Sequence, residues 1–116
     1  SILTSMDNKQ TLKYYNQKKV STLVRKFAQS AKKNNLDGIV CSPKEIKYIR
    51  KEIGNDFIIV TPGIRIAKKI KSDDQKRVET PKRAIDLGAN FIVIGRPITQ
   101  SKDPLKVLKE INKTLI

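Results

Sequence analysis

The 116-residue chain has no histidine, no tryptophan, one cysteine and one methionine. Histidine is the side chain that most readily moves protons near neutral pH, so histidine-dependent nucleophilic or metal chemistry has no internal route here. A lone Cys41 cannot form an internal disulfide, and no paired cysteines point to a structural metal centre or a secreted disulfide scaffold. A reducing compartment fits this usage, and the expected location is the cytoplasm. No apolar run approaches the roughly 20 residues that span a bilayer, and Ser1-Ile2-Leu3-Thr4-Ser5 lacks the basic and apolar regions of a signal peptide. The expectation is a soluble protein without membrane contact.

Acidic residues are also scarce. Asp and Glu total 11 against 25 Lys and Arg, a net charge of +14, and 19 of the basic residues are lysines. Such a charge attracts nucleic acids, phosphorylated molecules and acidic surfaces without choosing among them. The three tyrosines and three phenylalanines are not interleaved with arginine as a base-stacking surface. A basic structural or nucleic-acid-binding module is therefore one alternative reading, marked by affinity that falls steeply with salt.

At 38% hydrophobic residues the chain can form a core, and its length suits one domain over 1–116. Short apolar runs at 2–4, 38–41, 57–61 and 91–94 alternate with amphipathic segments. Near-continuous apolar runs of this kind suit parallel strands covered on both faces. The segment 7–17 is polar, has no strong helical face, and reads as loop or short helix. Val20, Leu23, Val24, Phe27, Ala28 and Ala31 then recur at helical spacing, with Asn34 and Asn35 as terminators and Lys26, Lys32 and Lys33 left to solvent. Ser42-Pro43-Lys44-Glu45 reads as a capping box opening a helix buried through Ile46, Ile49 and Ile53 and ended by Gly54. Thr80-Pro81 starts another helix, packed through Ala84, Ile85 and Leu87 and ended by Gly88. Asp103-Pro104 starts a last one, with Leu105, Leu108, Ile111 and Leu115 as its apolar stripe. Four βα units of this kind form either a small open sheet or half of a barrel, since a complete eight-stranded α/β barrel needs roughly 250 residues.

In parallel α/β architectures ligands gather beyond the carboxyl ends of the strands. Two loops there pair glycine with a guanidinium, Thr61-Pro62-Gly63-Ile64-Arg65 and Gly95-Arg96-Pro97-Ile98-Thr99. The glycines let backbone N–H groups approach an anion, and Arg65 and Arg96 add charge-assisted donors. The bland reading makes both glycines turns and both arginines solvent-facing. Between these loops, Lys68, Lys69, Lys71, Lys76 and Arg77 surround Gln75, whose amide is a phosphate donor on an anion-binding lid; a solvated loop is the alternative. Thr4 and Ser42, at the first two strand ends, offer hydroxyls to the same ligand. Cys41 is expected buried at its strand end. Asp73, Asp74 and Glu79 do not make a metal triad, being explained more simply as solvent-facing or ion-paired, and no metal site is assigned.

Several stretches together carry a resemblance. They are Leu3-Thr4-Ser5, Leu36-Asp37-Gly38-Ile39-Val40-Cys41-Ser42, Val60-Thr61-Pro62-Gly63-Ile64-Arg65, Asp74-Gln75-Lys76-Arg77 and Ile94-Gly95-Arg96-Pro97-Ile98-Thr99-Gln100. In this order, across almost the whole chain, the sequence resembles the C-terminal half of bacterial orotidine 5'-phosphate decarboxylases. The resemblance implies an α/β fold, a partial (β/α)8 TIM barrel comprising approximately the last four βα units. It also implies pyrimidine biosynthesis, in which orotidine monophosphate becomes uridine monophosphate and carbon dioxide without metal or organic cofactor. By the family pattern Arg65, Gln75, Gly95 and Arg96 are phosphate contacts and Thr4 another substrate contact. Ser42 lies near the pyrimidine ring, and Pro62 shapes the ring-side cavity.

The family's Asp-x-Lys-x-x-Asp pattern is absent, so no catalytic residue is assigned. The resemblance places those groups in the N-terminal half, with one aspartate from a partner subunit. The expected partners are orotidine or uridine monophosphate, a complementary N-terminal half, and a second subunit in the family homodimer. The isolated chain is expected to be inactive, and a phosphosugar- or nucleotide-binding remnant without turnover is a further alternative.

Overall fold

The computed structural model describes residues 1–3, 5–66 and 79–116. Its described elements run α1 (Asn8–Tyr15), α2 (Val20–Lys33), β1 (Gly38–Val40), a 3-10 turn (Pro43–Glu45), α3 (Ile46–Ile53), β2 (Ile58–Thr61), α4 (Pro81–Leu87), β3 (Phe91–Ile92), α5 (Arg96–Thr99) and α6 (Pro104–Leu115). The strands form one parallel sheet in the order β1-β2-β3, with Gly38 opposite Ile58, Val40 opposite Val60 and Val60 opposite Phe91.

Side chains alternate across a pleated strand, so this register assigns each residue a face. Ile39, Ile59 and Thr61 share the covered face and are buried, together with Val20, Leu23, Val24 and Ala28 of α2, Ile46 and Ile49 of α3 and Ala84 of α4. Val40, Ile58 and Phe91 share the other face and are 40%, 38% and 60% exposed. A doubly wound sheet would cover both sides. One covered and one open face is the arrangement of a barrel wall whose interior is not enclosed.

Local chemistry explains the helix boundaries. Thr80 Oγ1 accepts from Arg83 N–H at 3.3 Å and Asp103 Oδ1 from Lys106 N–H at 2.9 Å, each with proline at the next position. Gly88, at φ +111°, closes α4 in the left-handed region, while Asn34 ends α2 with Asn35 left-handed behind it. Segment 7–17 contains a true helix despite its weak apolar face. Asp7 and Gln10 form a reciprocal capping box at 2.9 and 3.0 Å, and left-handed Asn16 ends the helix.

Three expectations are corrected. Residues 2–4 were expected as a first strand; the described residues 1–3 are irregular, and Thr4 lies outside the described residues. Ile2 is buried, but Leu3 O accepts from Met6 N–H at 3.2 Å, which commits that carbonyl to a turn rather than a ladder. The sheet therefore has three strands among the described residues. Ser42 caps the turn after β1 with Pro43 behind it, as expected, but that turn is 3-10: Ser42 Oγ accepts from Lys44 N–H at 3.4 Å and Ser42 O from Glu45 N–H at 3.0 Å, so the hydroxyl caps the second position rather than the third. The α6 stripe is only partly buried. Ile111 is 4% exposed, whereas Leu105 and Leu108 are 60% and 42% exposed.

Candidate phosphate-binding edge

The three strands run in the same direction, so their carboxyl ends lie along one edge of the sheet. Ser42 follows β1, Pro62 to Arg65 follow β2, and Gly95 and Arg96 follow β3. Backbone bonds tie these ends together beyond the strands: Cys41 N–H donates to Val60 O at 3.1 Å and Val93 N–H to Thr61 O at 2.8 Å. Adjacent strands are about 4.8 Å apart, so the segments after β1 and β2, and those after β2 and β3, begin as immediate neighbours. Arg65 and Arg96 thus stand on neighbouring loops of one edge.

The β2 loop is pinned by a second pairing. Arg65 N–H donates to Glu79 O at 3.0 Å and Glu79 N–H to Gly63 O at 3.4 Å, with Ile64 bridged to Glu79 and fully buried. Gly63 sits at φ +79°, where a side chain is strained, so the Thr61-Pro62-Gly63 turn depends on glycine. The Arg65 side chain is half-buried, with one Nη donating to Ile64 O at 3.1 Å. The β3 loop is more open. Arg96 is exposed at the start of α5, and a Cβ added to Gly95 would meet no atom within 4 Å. That open space is what close approach of an anion to the backbone requires.

Ser42 is fully buried, its hydroxyl accepting from Lys44 N–H, and Pro62 is half-buried. Thr4 and Gln75 lie outside the described residues, as do the lid lysines between the two loops. Thr61 was not singled out from sequence, yet its Oγ1 is fully buried with no hydrogen-bond partner at the end of β2. A threonine closing an apolar strand gives no sequence sign of that.

Cys41 is buried as expected, and its thiol is pushed up to about 12, first by burial and then by the nearby Glu45 carboxylate. Arg50 acts in the opposite direction. At neutral pH the thiol stays protonated, which removes it as a nucleophile. A cleft of about 280 Å³, lined by Lys32, Asn35, Leu36, Asp37, Asp56, Phe57 and Ile58, opens at the amino ends of β1 and β2, away from the edge described above. None of the expected site residues lines it. Among the described residues no group of three acidic, cysteine or histidine side chains is placed to hold a metal ion, and no helix is long and apolar enough to cross a membrane.

Comparison with known proteins bears on the family and the fold. The chain is 48% identical over 115 residues to the orotidine 5'-phosphate decarboxylase of Coxiella burnetii and 46% identical to that of Haemophilus ducreyi, in each case across 99% of its length. It covers 48% and 50% of those proteins, so it spans about half the length of the curated relatives it matches. The crystal structure of orotidine 5'-phosphate decarboxylase from Lactobacillus acidophilus superposes with a TM-score of 0.77 at 36% identity, over 99% of this chain and 46% of that one. The Pyrococcus horikoshii structure, 23% identical with a TM-score of 0.68 over 97% of this chain and 49% of its own, shows the same fold. The described chain is thus a partial, unclosed (β/α)8 barrel with a parallel sheet. The orotidine 5'-phosphate decarboxylase / HUMPS family profile matches residues 1–111, and the chain belongs to that family.

Proposed function

We propose that this chain is the phosphate-binding half of an orotidine 5'-phosphate decarboxylase, acting in pyrimidine biosynthesis. The observation that carries the reading is the shared strand-end edge, where the pinned Gly63-Arg65 turn and the open Gly95-Arg96 turn follow adjacent parallel strands. In this reading the dianionic phosphate of orotidine monophosphate lies between Arg65, Arg96 and the Gly95 backbone N–H, with the Gln75 amide as a further donor. Thr4, Ser42 and Pro62 serve the ribose and pyrimidine side. Two guanidinium groups supply fixed donors to phosphate oxygens, and such remote contacts hold the substrate in place while the reacting ring carbon lies elsewhere.

The reaction breaks the bond between ring carbon and carboxylate. Carbon dioxide leaves, the electron pair stays on the ring carbon, and a proton replaces the carboxylate to give uridine monophosphate. No residue of this chain is assigned to stabilise that charge or deliver that proton, because the family's Asp-x-Lys-x-x-Asp groups are not in it. Turnover therefore requires a complementary N-terminal half, and the active assembly is a cytoplasmic homodimer of complete barrels. No metal or organic cofactor takes part.

Calorimetric titration of uridine monophosphate into the chain, alone and mixed with the complementary half, tests the reading with Arg96→Ala as control. Specific binding that disappears in the variant supports it. Turnover of orotidine monophosphate by the chain alone at an enzyme-like rate contradicts the division of labour. Nucleotide binding without turnover in the complemented mixture favours a phosphosugar- or nucleotide-binding remnant. Salt-sensitive polyanion binding that uridine monophosphate does not compete favours the basic nucleic-acid module.

A further inference from the structure

The face formed by α1 and α2 has no part in nucleotide binding, yet it carries the most one-sided charge of the chain. Between Asp7 and Asp37 there are eight Lys and Arg residues and no Asp or Glu, so a quarter of the chain supplies eight of its 14 excess positive charges. All eight side chains are exposed. With about 3.6 residues per helical turn, positions seven apart align, so Lys19, Lys26 and Lys33 form one row along α2 at intervals of about 10 Å. That row faces solvent and leans toward the partly buried Phe27. Arg25 lies on the other flank of the buried stripe, where it pairs with Glu52 of α3.

Folding brings aromatic rings to that row. Asn8 Oδ1 accepts from Val20 N–H at 3.0 Å and fastens α1 to the start of α2. The Tyr15 ring meets Phe27 edge to face, with centroids 6.2 Å apart. Tyr14 and Tyr15 follow the buried Thr11 by three and four positions, on the same side of α1, and are 63% and 45% exposed. The Lys13 ammonium lies 5.4 Å from the centre of the Tyr14 ring. Open aromatic rings beside a run of ammonium groups fit the bases and phosphates of a single strand. A duplex hides its bases and has no use for the tyrosines. A lipid surface needs an apolar helix face to insert, and Val20, Leu23, Val24 and Ala28 of α2 are buried in the core instead.

We propose that the α1–α2 face binds single-stranded nucleic acid, with bases stacked on Tyr14 and Tyr15 and phosphates along Lys19, Lys26 and Lys33. The lysines supply a salt-dependent attraction, and the rings restrict it to unpaired bases. This surface uses no residue of the strand-end edge, so it is additional to nucleotide binding. A chain with both sites binds uridine monophosphate and an oligonucleotide at once, whereas the basic-module reading has the oligonucleotide alone.

The test titrates the full chain into fluorescent oligoadenylate and reads anisotropy across a salt series. Tyr14→Ala should weaken binding by about fivefold or more, and Tyr14→Phe should keep it. Each phosphate contact contributes about −0.7 to the slope of log affinity against log salt, so Lys19→Gln/Lys26→Gln/Lys33→Gln should flatten that slope by about 2. All of these side chains are exposed, and an unchanged melting temperature checks that the variants stay folded. Absence of salt-sensitive binding by the parent chain overturns the proposal, as does full affinity in Tyr14→Ala or an unchanged slope in the lysine variant. Loss of binding in Arg65→Ala/Arg96→Ala would put the oligonucleotide on the strand-end edge and also overturns it. So does a duplex bound as tightly as the single strand, or phosphatidylserine vesicles bound more tightly than the oligonucleotide.

Discussion

Arg50 holds three segments together at the amino ends of the strands, and removing it should cost more than any surface arginine. Its Nε and one Nη donate to Gly88 O at 3.0 and 2.7 Å, and that same Nη donates to Asn90 Oδ1 at 2.6 Å. The other Nη reaches Gly54 O at 3.0 Å, Asn55 O at 3.3 Å and Phe57 O at 2.5 Å. Asn90 Oδ1 in turn accepts from Ile59 N–H at 2.9 Å, so the cluster spans the end of α3, the start of β2 and the turn between α4 and β3. Hydrogen bonds to a charged group contribute about 1.5–3 kcal/mol each, but these share one half-buried guanidinium and several acceptors regain water when it is lost. Arg50→Ala should therefore destabilise by about 3 kcal/mol, chiefly by orphaning Gly88 O and Phe57 O. Arg50→Lys should recover about 1 kcal/mol, since an ammonium cannot fork between the two sides. Urea unfolding measures both. With a slope of about 1–2 kcal/mol/M for a chain of this size, the alanine midpoint falls by about 2 M. A loss below about 0.5 kcal/mol for alanine, or lysine matching arginine, refutes the clasp.

One further substitution and one labelling experiment bear on the same scaffold. A Cβ on Gly38 would lie 2.2 Å from Ile58 O and 2.7 Å from Ile58 Cβ, so Gly38→Ala must push β1 from β2. It should cost about 2–3 kcal/mol in urea unfolding, and a neutral result would mean the strands are not this close. Cys41 should resist thiol-specific reagents at pH 8 in the native chain and react at an ordinary rate once unfolded. Its folded-state value is raised from 9.0 to about 12, so its contribution to stability is complete below pH 9 and is lost as pH rises toward 12. Native-state labelling as fast as that of the denatured chain would contradict its burial.

Punctuation residues were the most legible part of the fold. Thr80-Pro81 with Gly88, and Asp103 with Pro104, mark helix ends through chemistry that acts within a few residues, and the structure has them at those places. Helix α1 was less visible because its stability comes from the Asp7–Gln10 box rather than an apolar stripe. Leu105 and Leu108 read as core because periodicity reports which face is apolar, not whether anything covers it. Residues 2–4 read as a strand for a similar reason, since hydrophobicity cannot supply a ladder partner. The shared strand-end edge was foreseeable from the placement of Gly63, Arg65, Gly95 and Arg96 after apolar runs. Arg50 was not, because its acceptors are backbone carbonyls on three segments and leave no pattern in side-chain identity.

The most direct measurement of the nucleotide reading compares uridine monophosphate affinity in the complemented protein with that of the Arg65→Ala/Arg96→Ala double variant, at constant salt. Two guanidinium contacts to a phosphate dianion are together worth about 3–6 kcal/mol, so the double variant should bind at least about a hundredfold more weakly while keeping its melting temperature. Equal affinity in the two proteins would mean that the phosphate lies somewhere other than the edge shared by β2 and β3.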